Sequence, residues 1–385
     1  MLVTRTQFGI DRSFIKIEKI QSAWEFTRMR SEWSELLESS DADSLFLTWE
    51  WLHTWWKHLA GSRELSIYAA RCGQELIAIA PLAKHPPNLA RGRPFSTLEF
   101  LGTGPVGSDY LDFIVRQGYE TQAVKVLAGV LAAKRLALDW TQLKQSGCAA
   151  DRIAGCLGDE GWTVSEARTN TCPFISLEGH TWDSYLATLS AEHRYSFKRK
   201  WNRLQQDFAV QLDEVTTEEQ CLDAVGLVIK LHDLRWQDRE GSDAFCSEAL
   251  ASFHHEWAEL ARQRGWLRLF VLRLNDKPVA CLYGFCYRRV FYFYQSGFDP
   301  AFAKYSVGLV TMGLAIKNAL EEGAREYDLL HGNERYKSHW CRTSHDLGRL
   351  ELYPPGGLGR MCRLSVEFGR ASKTTLKRLT ARAAL

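Results

Sequence analysis

Residues 291–340 read FYFYQSGFDP AFAKYSVGLV TMGLAIKNAL EEGAREYDLL HGNERYKSHW. The aromatic residues at the start predict a strand, and the apolar spacing of 306–321 predicts a helix that follows a tight loop. A second strand is expected at 326–330, and it ends in a cluster of polar and ionisable side chains. The start of such a helix can hold a pyrophosphate, and the end of such a strand can carry reactive groups.

The start of the helix at 306 is the first part of the candidate site. Backbone N–H groups at 307–310 are expected to face outward, where the helix dipole favours phosphate. Gly308 would let a ligand approach the backbone closely. One glycine before a helix is common, so a plain connection between loop and helix is the alternative.

The segment after the second strand is the chemical part of the candidate site. Asp328, His331, Glu334 and Lys337 follow one another just past the apolar strand. An acyl transfer needs a group that takes a proton from the attacking amine or hydroxyl, and it needs donors for the oxyanion. Asp328, Glu334 or His331 could serve the first need, and Lys337 or a backbone N–H the second. A plain surface ion pair between Glu334 and Lys337 is the alternative.

A basic run precedes this region, in a segment with a helical pattern. The run consists of Arg194, Lys198, Arg199, Lys200 and Arg203, with no acidic residue between them. It can hold the phosphates of CoA or of a nucleotide-linked or lipid-linked substrate, and a solvated helix face is the alternative. Ser190 is expected to cap this helix, and Thr216 with Glu219 to form a capping box on the next one.

The same order of elements is predicted twice along the chain. The first half reads as helix 46–59, strands 65–71, 76–82 and 109–115, helix 119–133 and strand 136–140. The second half reads as helix 248–262, strands 266–274, 279–287 and 290–295, helix 306–321 and strand 326–330. We infer a tandem duplication of one α+β unit, and chance likeness between two α/β domains is the alternative.

This repeat predicts two domains and a tail. We expect an N-terminal domain at 1–170, a C-terminal domain at 171–355 and a basic tail at 356–385. The seam between the domains is expected near 169–181. The tail is expected to begin as an irregular turn and to continue as a basic amphipathic helix.

Composition narrows the class of protein. Of the 385 residues, 45% are hydrophobic and 24% are charged, and the net charge of +2 gives no reason to expect a DNA partner. No apolar stretch approaches the ~20 residues of a membrane span, and the first residues contain no apolar signal region. We therefore expect a cytoplasmic protein, with the tail as a contact to an anionic membrane at its inner face. His331, His339, Cys341 and His345 match no standard zinc spacing, so no metal is expected.

Several short motifs resemble those of one family. They are Trp49-Glu50-Trp51-Leu52 with Trp55-Trp56, Ala80-Pro81-Leu82, Ser108-Asp109-Tyr110, Leu231-His232 with Arg235-Trp236, Tyr294-x-Ser296-Gly297-Phe298-Asp299, and Tyr327-Asp328-Leu329-Leu330-x-Gly332-x-Glu334-x-Tyr336-Lys337. Within 24–340, these motifs resemble the CelD/BcsL-type acetyltransferases of the GNAT superfamily, which are linked to cellulose and exopolysaccharide biosynthesis. The chain is also similar to the tandem-GNAT FemAB-type transferases.

The resemblance implies an α/β (α+β) fold of tandem GNAT-like (acyl-CoA N-acyltransferase) domains, each a mixed, mostly antiparallel twisted sheet flanked by helices. It also implies a catalytic second domain that uses acetyl-CoA or another acyl-CoA, and a first domain without catalytic residues. Taken with the patterns above, it gives as cofactor-binding residues Tyr305, Ser306, Val307, Gly308 and Leu309. The catalytic candidates are Asp328, Glu334 and Lys337. The substrate-binding candidates are Arg235, Trp236, His331, Tyr336, Trp340, Arg194 and Lys198.

This chain departs from its relatives at two of these positions. Relatives usually carry Arg where this chain has His331, so a group that titrates near neutral pH replaces a permanent cation. They usually carry Pro where this chain has Val307, so the loop is less fixed in φ.

We therefore expect an acyltransferase that moves an acyl group from acyl-CoA to an amine or hydroxyl of a small-molecule or saccharide acceptor. The expected mechanism is direct attack without a covalent enzyme intermediate. A transfer that depends on aminoacyl-tRNA, as in FemAB-type relatives, is the first alternative, and the basic run favours it. A non-catalytic assembly module of a polysaccharide-synthesis complex is the second alternative.

Overall fold

The structure is a computed structural model that describes residues 15–88, 94–145, 147–236, 245–332 and 334–369, without the side chain of Trp236. The helices are α1 Ala23–Arg28, α2 Arg30–Glu38, α3 Trp49–Leu59, α4 Glu120–Lys134, α5 Ala149–Asp159, α6 Trp182–Thr188, α7 Ala191–Asp207, α8 Glu218–Trp236, α9 Glu248–Gln263, α10 Val307–Glu321 and α11 at 357–369. The strands are β1 Ile15–Ile20, β2 Glu64–Leu65, β3 Ile67–Cys72, β4 Glu75–Ala80, β5 Leu82–His85, β6 Thr97–Phe100, β7 Ile114–Val115, β8 Ala137–Lys144, β9 Thr163–Ser176, β10 Val210–Glu214, β11 Leu267–Leu274, β12 Lys277–Tyr287, β13 Val290–Phe298, β14 Glu326–Asp328 and β15 Thr343–Tyr353.

The two halves of the chain repeat one strand order, as predicted. In the second half, β10, β11, β12 and β13 pair antiparallel in sequence, and β14 then pairs with β13 in parallel. In the first half, β1, β3 and β4 pair antiparallel, β5 pairs antiparallel with β6, and β8 pairs with β6 in parallel. Pro81 separates β4 from β5, so the strands of the first half fall into two sheets. The fold is therefore mixed α/β with two GNAT-like units.

The strand predicted at 109–115 is wrong over most of its length, because only Ile114–Val115 is extended in a ladder. Tyr110 has a φ of 57°, in the left-handed region that an ordinary strand does not visit. The counterpart of β13 in the first half is β6, since each pairs in parallel with the strand that follows the next helix. Residues 101–113 form a loop instead, and this loop reaches the second half.

Two long strands join the halves. The strand β9 pairs antiparallel with β15 from Thr163↔Tyr353 to Phe174↔Thr343, and its end also pairs with β14. Residues 347–352 of β15 pair on the other side with β8 of the first half. One sheet therefore runs from β10 to β2, and the seam expected near 169–181 begins inside β9.

Buried aromatic and charged side chains fill the contact between the halves. Trp51 of α3 is fully buried and meets Trp257 of α9 edge-on, with ring centroids 4.9 Å apart. Its Nε1 donates to Ser108 Oγ at 2.9 Å. Glu50 is also buried, and its carboxylate accepts a hydrogen bond from Arg264 Nε at 2.8 Å. Arg30 of the first half bonds the same carboxylate, so Arg264 adds the cation that ties this buried charge to the second half.

Of the two predicted helix caps, the one on α7 is confirmed and the one on α8 is shifted by one residue. Ser190 caps α7 as predicted, because its hydroxyl accepts the backbone N–H of His193. The box at the start of α8 joins Thr217 and Gln220, one residue later than predicted. In the part of the chain that the structure describes, no helix has the length and apolar character needed to cross a membrane.

Candidate functional site

The parallel strands β13 and β14 separate where the candidate site lies. They pair only from Val290↔Glu326 to Tyr292↔Asp328, and β13 then continues to Phe298 while β14 ends. A bulge opposite Tyr283 and Gly284 adds Tyr294 to β13 at the point of separation. Bulges re-aim a strand and are over-represented next to active sites. The separation opens a gap beside the end of β14.

A cavity of about 250 Å³ lies at the start of α10, and we call it the donor cavity. It is lined by four of the five predicted cofactor residues, Ser306, Val307, Gly308 and Leu309. Three predicted substrate residues also line it, namely Arg235, Tyr336 and Trp340. The fifth cofactor candidate, Tyr305, lies elsewhere: its ring meets Phe208 at 5.0 Å, with the Arg203 guanidinium 5.1 Å from it.

The first turn of α10 presents two amide groups rather than the predicted four. Ser306 has a φ of 55°, and its carbonyl accepts the N–H groups of Leu309 at 3.0 Å and Val310 at 3.1 Å. The amides of Val307 and Gly308 precede these bonds and belong to the unsatisfied first turn of a helix. A Cβ on Gly308 would lie 3.2 Å from the Phe298 ring, which explains why a glycine fits here.

Arg235 supplies a fixed cation on the wall of the donor cavity. Its guanidinium donates to Ser296 Oγ at 3.1 Å and lies over the rings of Phe298 and Tyr336, at 5.4 and 5.5 Å. Planar guanidinium groups held in this way suit the recognition of phosphate. Trp236, the neighbouring substrate-binding candidate, has a side chain that lies outside the described residues.

Asp328 lies at the end of β14 and is 1% exposed. Its carboxylate accepts a hydrogen bond from the Tyr110 hydroxyl at 2.6 Å and one from the Leu330 amide at 2.8 Å. Burial outweighs these two bonds and raises the pKa of Asp328 to about 7. A carboxyl with such a pKa can take a proton at neutral pH.

A second cavity, of about 360 Å³, lies between the halves, and we call it the interdomain cavity. Asp328, Tyr110 and Tyr292 line it, as do Asp43 and Glu120 of the first half. Tyr292 faces this cavity, whereas its neighbour Phe293 lines the donor cavity. Because successive side chains of a strand point to opposite faces, the two cavities lie on opposite faces of the sheet, on either side of the gap.

His331 is held by a carboxylate from the other half of the chain. Asp109 is fully buried and accepts the His331 amide at 2.9 Å and its Nδ1 at 2.8 Å. Gln142 Nε2 donates to the same carboxylate at 2.7 Å. The hydrogen bond to Asp109 raises the pKa of His331, which favours the imidazolium. This pairing favours a positive charge at the position where the family resemblance implies arginine.

Lys337 and Glu334 form a pair that holds the loop after β14. Lys337 is 3% exposed, and its Nζ lies 3.0 Å from the His331 carbonyl, 3.2 Å from the Leu330 carbonyl and 2.9 Å from Glu334 Oε2. Two of the three ammonium donors go to these carbonyls, and the contact with Glu334 is an ion pair. Lys337 thus holds the loop through its buried end, and the ion pair is half-buried rather than the plain surface pair considered from sequence.

Three of the nine described non-glycine residues with a positive φ lie around this carboxylate cluster. Leu330, Tyr110 and Gln142 have φ values of 54°, 57° and 60°. Left-handed conformations cost a non-glycine residue free energy and persist where the surroundings enforce them, often at functional sites. Here the same three residues make or flank the hydrogen bonds to Asp109 and Asp328.

Asp109 and Tyr110 were not predicted as site residues. They follow a glycine-rich loop whose Val106 carbonyl accepts a hydrogen bond from the Tyr294 hydroxyl at the strand bulge. The Ser108-Asp109-Tyr110 motif carries a signal for them, but the pattern of 109–115 predicts a strand there.

The basic run lies away from both cavities. Arg194 donates to the carbonyls of Leu186 and Ala187, each at 3.3 Å, and so caps α6. Lys198 is exposed on α7. Neither side chain lines the donor cavity or the interdomain cavity. Over the described ranges, no group of three or more His, Cys, Asp or Glu residues is placed to hold a metal ion.

Comparison with known families matches part of the chain. Residues 191–338 match the family described as acetyltransferase (GNAT) domain, which covers α7 to the loop after β14. No curated protein sequence matches this chain.

Solved structures match most of the chain at low identity. FemX has a TM-score of 0.60 at 12% identity, over 87% of this chain and 96% of that one. L-PGS from Bacillus licheniformis has a TM-score of 0.52 at 10% identity, over 89% and 95%. The C-terminal domain of a putative lysylphosphatidylglycerol synthetase from Agrobacterium fabrum has a TM-score of 0.52 at 10% identity, over 86% and 92%. At such identities the likeness shows the fold alone, and the fold is that of a GNAT acyltransferase.

Proposed function

We propose that this protein transfers an acyl group from a CoA thioester to an amine or hydroxyl that enters from the interdomain cavity. One observation carries the proposal. The strands β13 and β14 separate after Tyr292 and Asp328, with a cavity on each face of the gap. A donor on one face and an acceptor on the other would meet at the end of β14.

The donor cavity suits the CoA end of the donor. The amides of Val307 and Gly308 and the positive end of the α10 dipole favour a pyrophosphate. Arg235 adds a fixed cation on the cavity wall. The apolar rings of Phe293 and Trp340 line the rest, which suits the pantetheine chain. Acyl-CoA is therefore the co-substrate that we assign to this cavity.

Asp328 is the proton acceptor in this proposal. Its carboxylate takes a proton from the acceptor amine or hydroxyl, whose lone pair forms a bond to the thioester carbonyl carbon. The C–S bond then breaks, and the thiolate of CoA leaves and takes up the proton that Asp328 accepted. His331, which Asp109 holds in the loop after β14, lines neither cavity, so in this proposal its positive charge favours the oxyanion between these steps without contacting it. Glu334 and Lys337 position the loop that carries His331.

A thermal-shift and turnover experiment tests the proposal. Acetyl-CoA at ~100 times its Kd should add about 2.7 kcal/mol of stability. Pantetheine without the phosphates should add much less. Release of free CoA thiol is then measured against a panel of primary amines and amino sugars. No stabilisation by any CoA thioester, together with no amine-dependent thiol release, would show that the proposed reaction is wrong.

A transfer that depends on aminoacyl-tRNA is the second candidate, and the exposed basic face of α7 favours it. Lys198, Arg199 and Arg203 are all exposed along this helix. Binding of tRNA through phosphates would weaken steeply with salt. Salt-sensitive tRNA binding without any acyl-CoA binding would favour this candidate over the first. A saccharide acceptor and a place in cellulose or exopolysaccharide synthesis, as catalyst or as assembly module, stay predictions from the family resemblance.

A further inference from the structure

The last described helix, α11, carries an exposed apolar stripe. The stripe consists of Leu358, Met361, Leu364 and Phe368, whose exposed fractions are 51%, 60%, 63% and 76%. Residues three or four apart share one face of a helix, so these four side chains lie together. The other large exposed apolar residues of the described chain, Trp24, Val164, Tyr195 and Leu222, are far apart in sequence. Single exposed apolar residues are ordinary, but a contiguous exposed patch marks an interaction surface.

A different face of α11 anchors the helix to the protein. Cys362 is 4% exposed and packs with Ala137 and Tyr353. Ser365 and Val366 lie on the same side, against a small cavity beside Phe95. These contacts fix the rotation of the helix, and they leave the apolar stripe exposed beside the anchored face.

Basic residues flank the stripe and dominate the segment that contains it. Arg360 and Arg363 are exposed on α11, and Arg363 pairs with Glu367 at 2.7 Å. From residue 356 to residue 385 the sequence contains seven Lys or Arg and a single acidic residue, Glu367. The whole chain has a net charge of only +2, so positive charge is concentrated in this segment.

We propose that α11 docks this protein on an anionic membrane surface, with the apolar stripe inserted among the lipid chains and the basic residues at the headgroups. A helix with one apolar face and a basic polar face has the features of a helix that lies in the membrane interface. Each Lys or Arg near such a surface adds further attraction to anionic lipid. A second copy of the chain fits less well as the occupant, because pairing two stripes would bring two basic segments together.

The test is co-sedimentation of the full chain with vesicles of phosphatidylcholine, with and without phosphatidylglycerol. We expect binding to the vesicles that contain phosphatidylglycerol, and we expect added salt to weaken it. Replacing all four stripe residues by Gln should reduce the partition coefficient by at least about tenfold, because the apolar contact is lost. Since all four side chains are exposed, this variant should keep the wild-type melting temperature.

Matched variants separate the stripe from general surface properties. Leu222→Gln with Val164→Gln removes exposed apolar residues elsewhere and should leave vesicle binding unchanged. Arg360→Gln with Arg363→Gln should weaken binding only where phosphatidylglycerol is present. No binding by the wild type, or equal binding by the stripe variant, would overturn the proposal. A dimer in light scattering that the stripe variant loses, without vesicle binding, would also overturn it and assign the stripe to a second copy. Vesicle binding needs no acyl transfer, so its failure is distinct from failure of the proposed reaction.

Discussion

The two halves share one strand order, but they differ in one connection. It is the connection that joins the first strand of the parallel pair to the next helix. In the second half, β13 leads to α10 through residues 299–306, and the helix starts beside the strand separation. In the first half, β6 leads to α4 through residues 101–119, and this longer connection crosses to the other half. There it supplies Asp109 to His331 and Tyr110 to Asp328. The first half thus contributes two side chains to the candidate site of the second.

The two halves also differ in the first turn of the helix that follows this connection, which is α10 in the second half and α4 in the first. The first turn of α10 is Val307, Gly308 and Leu309, and it opens onto the donor cavity. The helix α4 begins with Glu120, whose Oε1 accepts the Gly118 amide at 2.9 Å. A carboxylate at a helix start is stabilised by the dipole but repels a phosphate at the same place. We therefore expect the proposed phosphate contact at the start of α10 and not at the start of α4.

The largest expected effect on turnover is that of replacing Asp328, whose carboxylate accepts a hydrogen bond from Tyr110 of the first half. Asp328→Asn should lower kcat by roughly 10²- to 10⁴-fold, because it removes the proton acceptor. Since the pKa of Asp328 is about 7 and the ionised form reacts, wild-type kcat should rise as the pH increases through about 7. The rise should be absent in the variant. Stopped-flow or thiol-release rates across pH measure both effects.

The control for Asp328→Asn is its affinity for acetyl-CoA. The variant should keep the wild-type Kd, because the donor cavity lies on the other face of the sheet. A variant with full turnover would exclude Asp328 as the base. A variant that also fails to bind acetyl-CoA would instead point to a folding defect.

Gly308→Glu tests the difference between the helix starts directly, because it gives α10 the acidic first turn of α4. The Kd for acetyl-CoA should rise roughly fivefold to several hundredfold, since a like charge near the diphosphate costs on the order of 1–4 kcal/mol. Isothermal titration of acetyl-CoA and of pantetheine measures the effect, and pantetheine should be much less affected. Gly308→Ala is the steric control. Its Cβ would lie 3.2 Å from the Phe298 ring, so a small effect of its own is expected. Equal losses of affinity in both variants would mean that the space at residue 308, and not its charge, controls the binding of acetyl-CoA.

Asp109→Asn tests what the first half contributes. Without the carboxylate, the pKa of His331 should fall towards its ordinary value, and kcat/KM at neutral pH should fall by about tenfold as the cation is lost. The stability effect has a definite sign. A histidine pKa that is raised on folding adds stability that is complete below about pH 6.5 and is lost as the pH rises through the folded value. The stability difference between wild type and variant, from urea unfolding, should thus be larger at low pH than at high pH. A difference that does not change with pH would contradict the ion pair.

The sequence predicted the parts of the site that depend on local pattern. Residues 306–309 and Tyr336 with Trp340 were identified from a helix start and a motif, and the structure brings them to one cavity. The pairing of Asp109 with His331 spans 222 positions, and no periodicity of a single segment encodes it. The strand predicted at 109–115 failed for the same reason. Its alternating apolar residues fit a strand, but the contacts of Tyr110 and Asp109 with the other half hold the backbone in a loop. Long-range hydrogen bonds overrode local propensity at the positions that serve the site.

The smallest expected effect is that of Glu120→Gln, which removes the carboxylate at the start of α4. The melting temperature should fall slightly, because a negative side chain near a helix N-terminus contributes about 0.3–1 kcal/mol. The affinity for acetyl-CoA should stay at the wild-type value and one-to-one, as measured by titration. The connection at 101–119 lies against the second half, so freeing this helix start does not create a second donor cavity beside it. A second equivalent of bound acetyl-CoA in this variant would mean that the carboxylate alone, and not the long connection, keeps the first half from binding a donor.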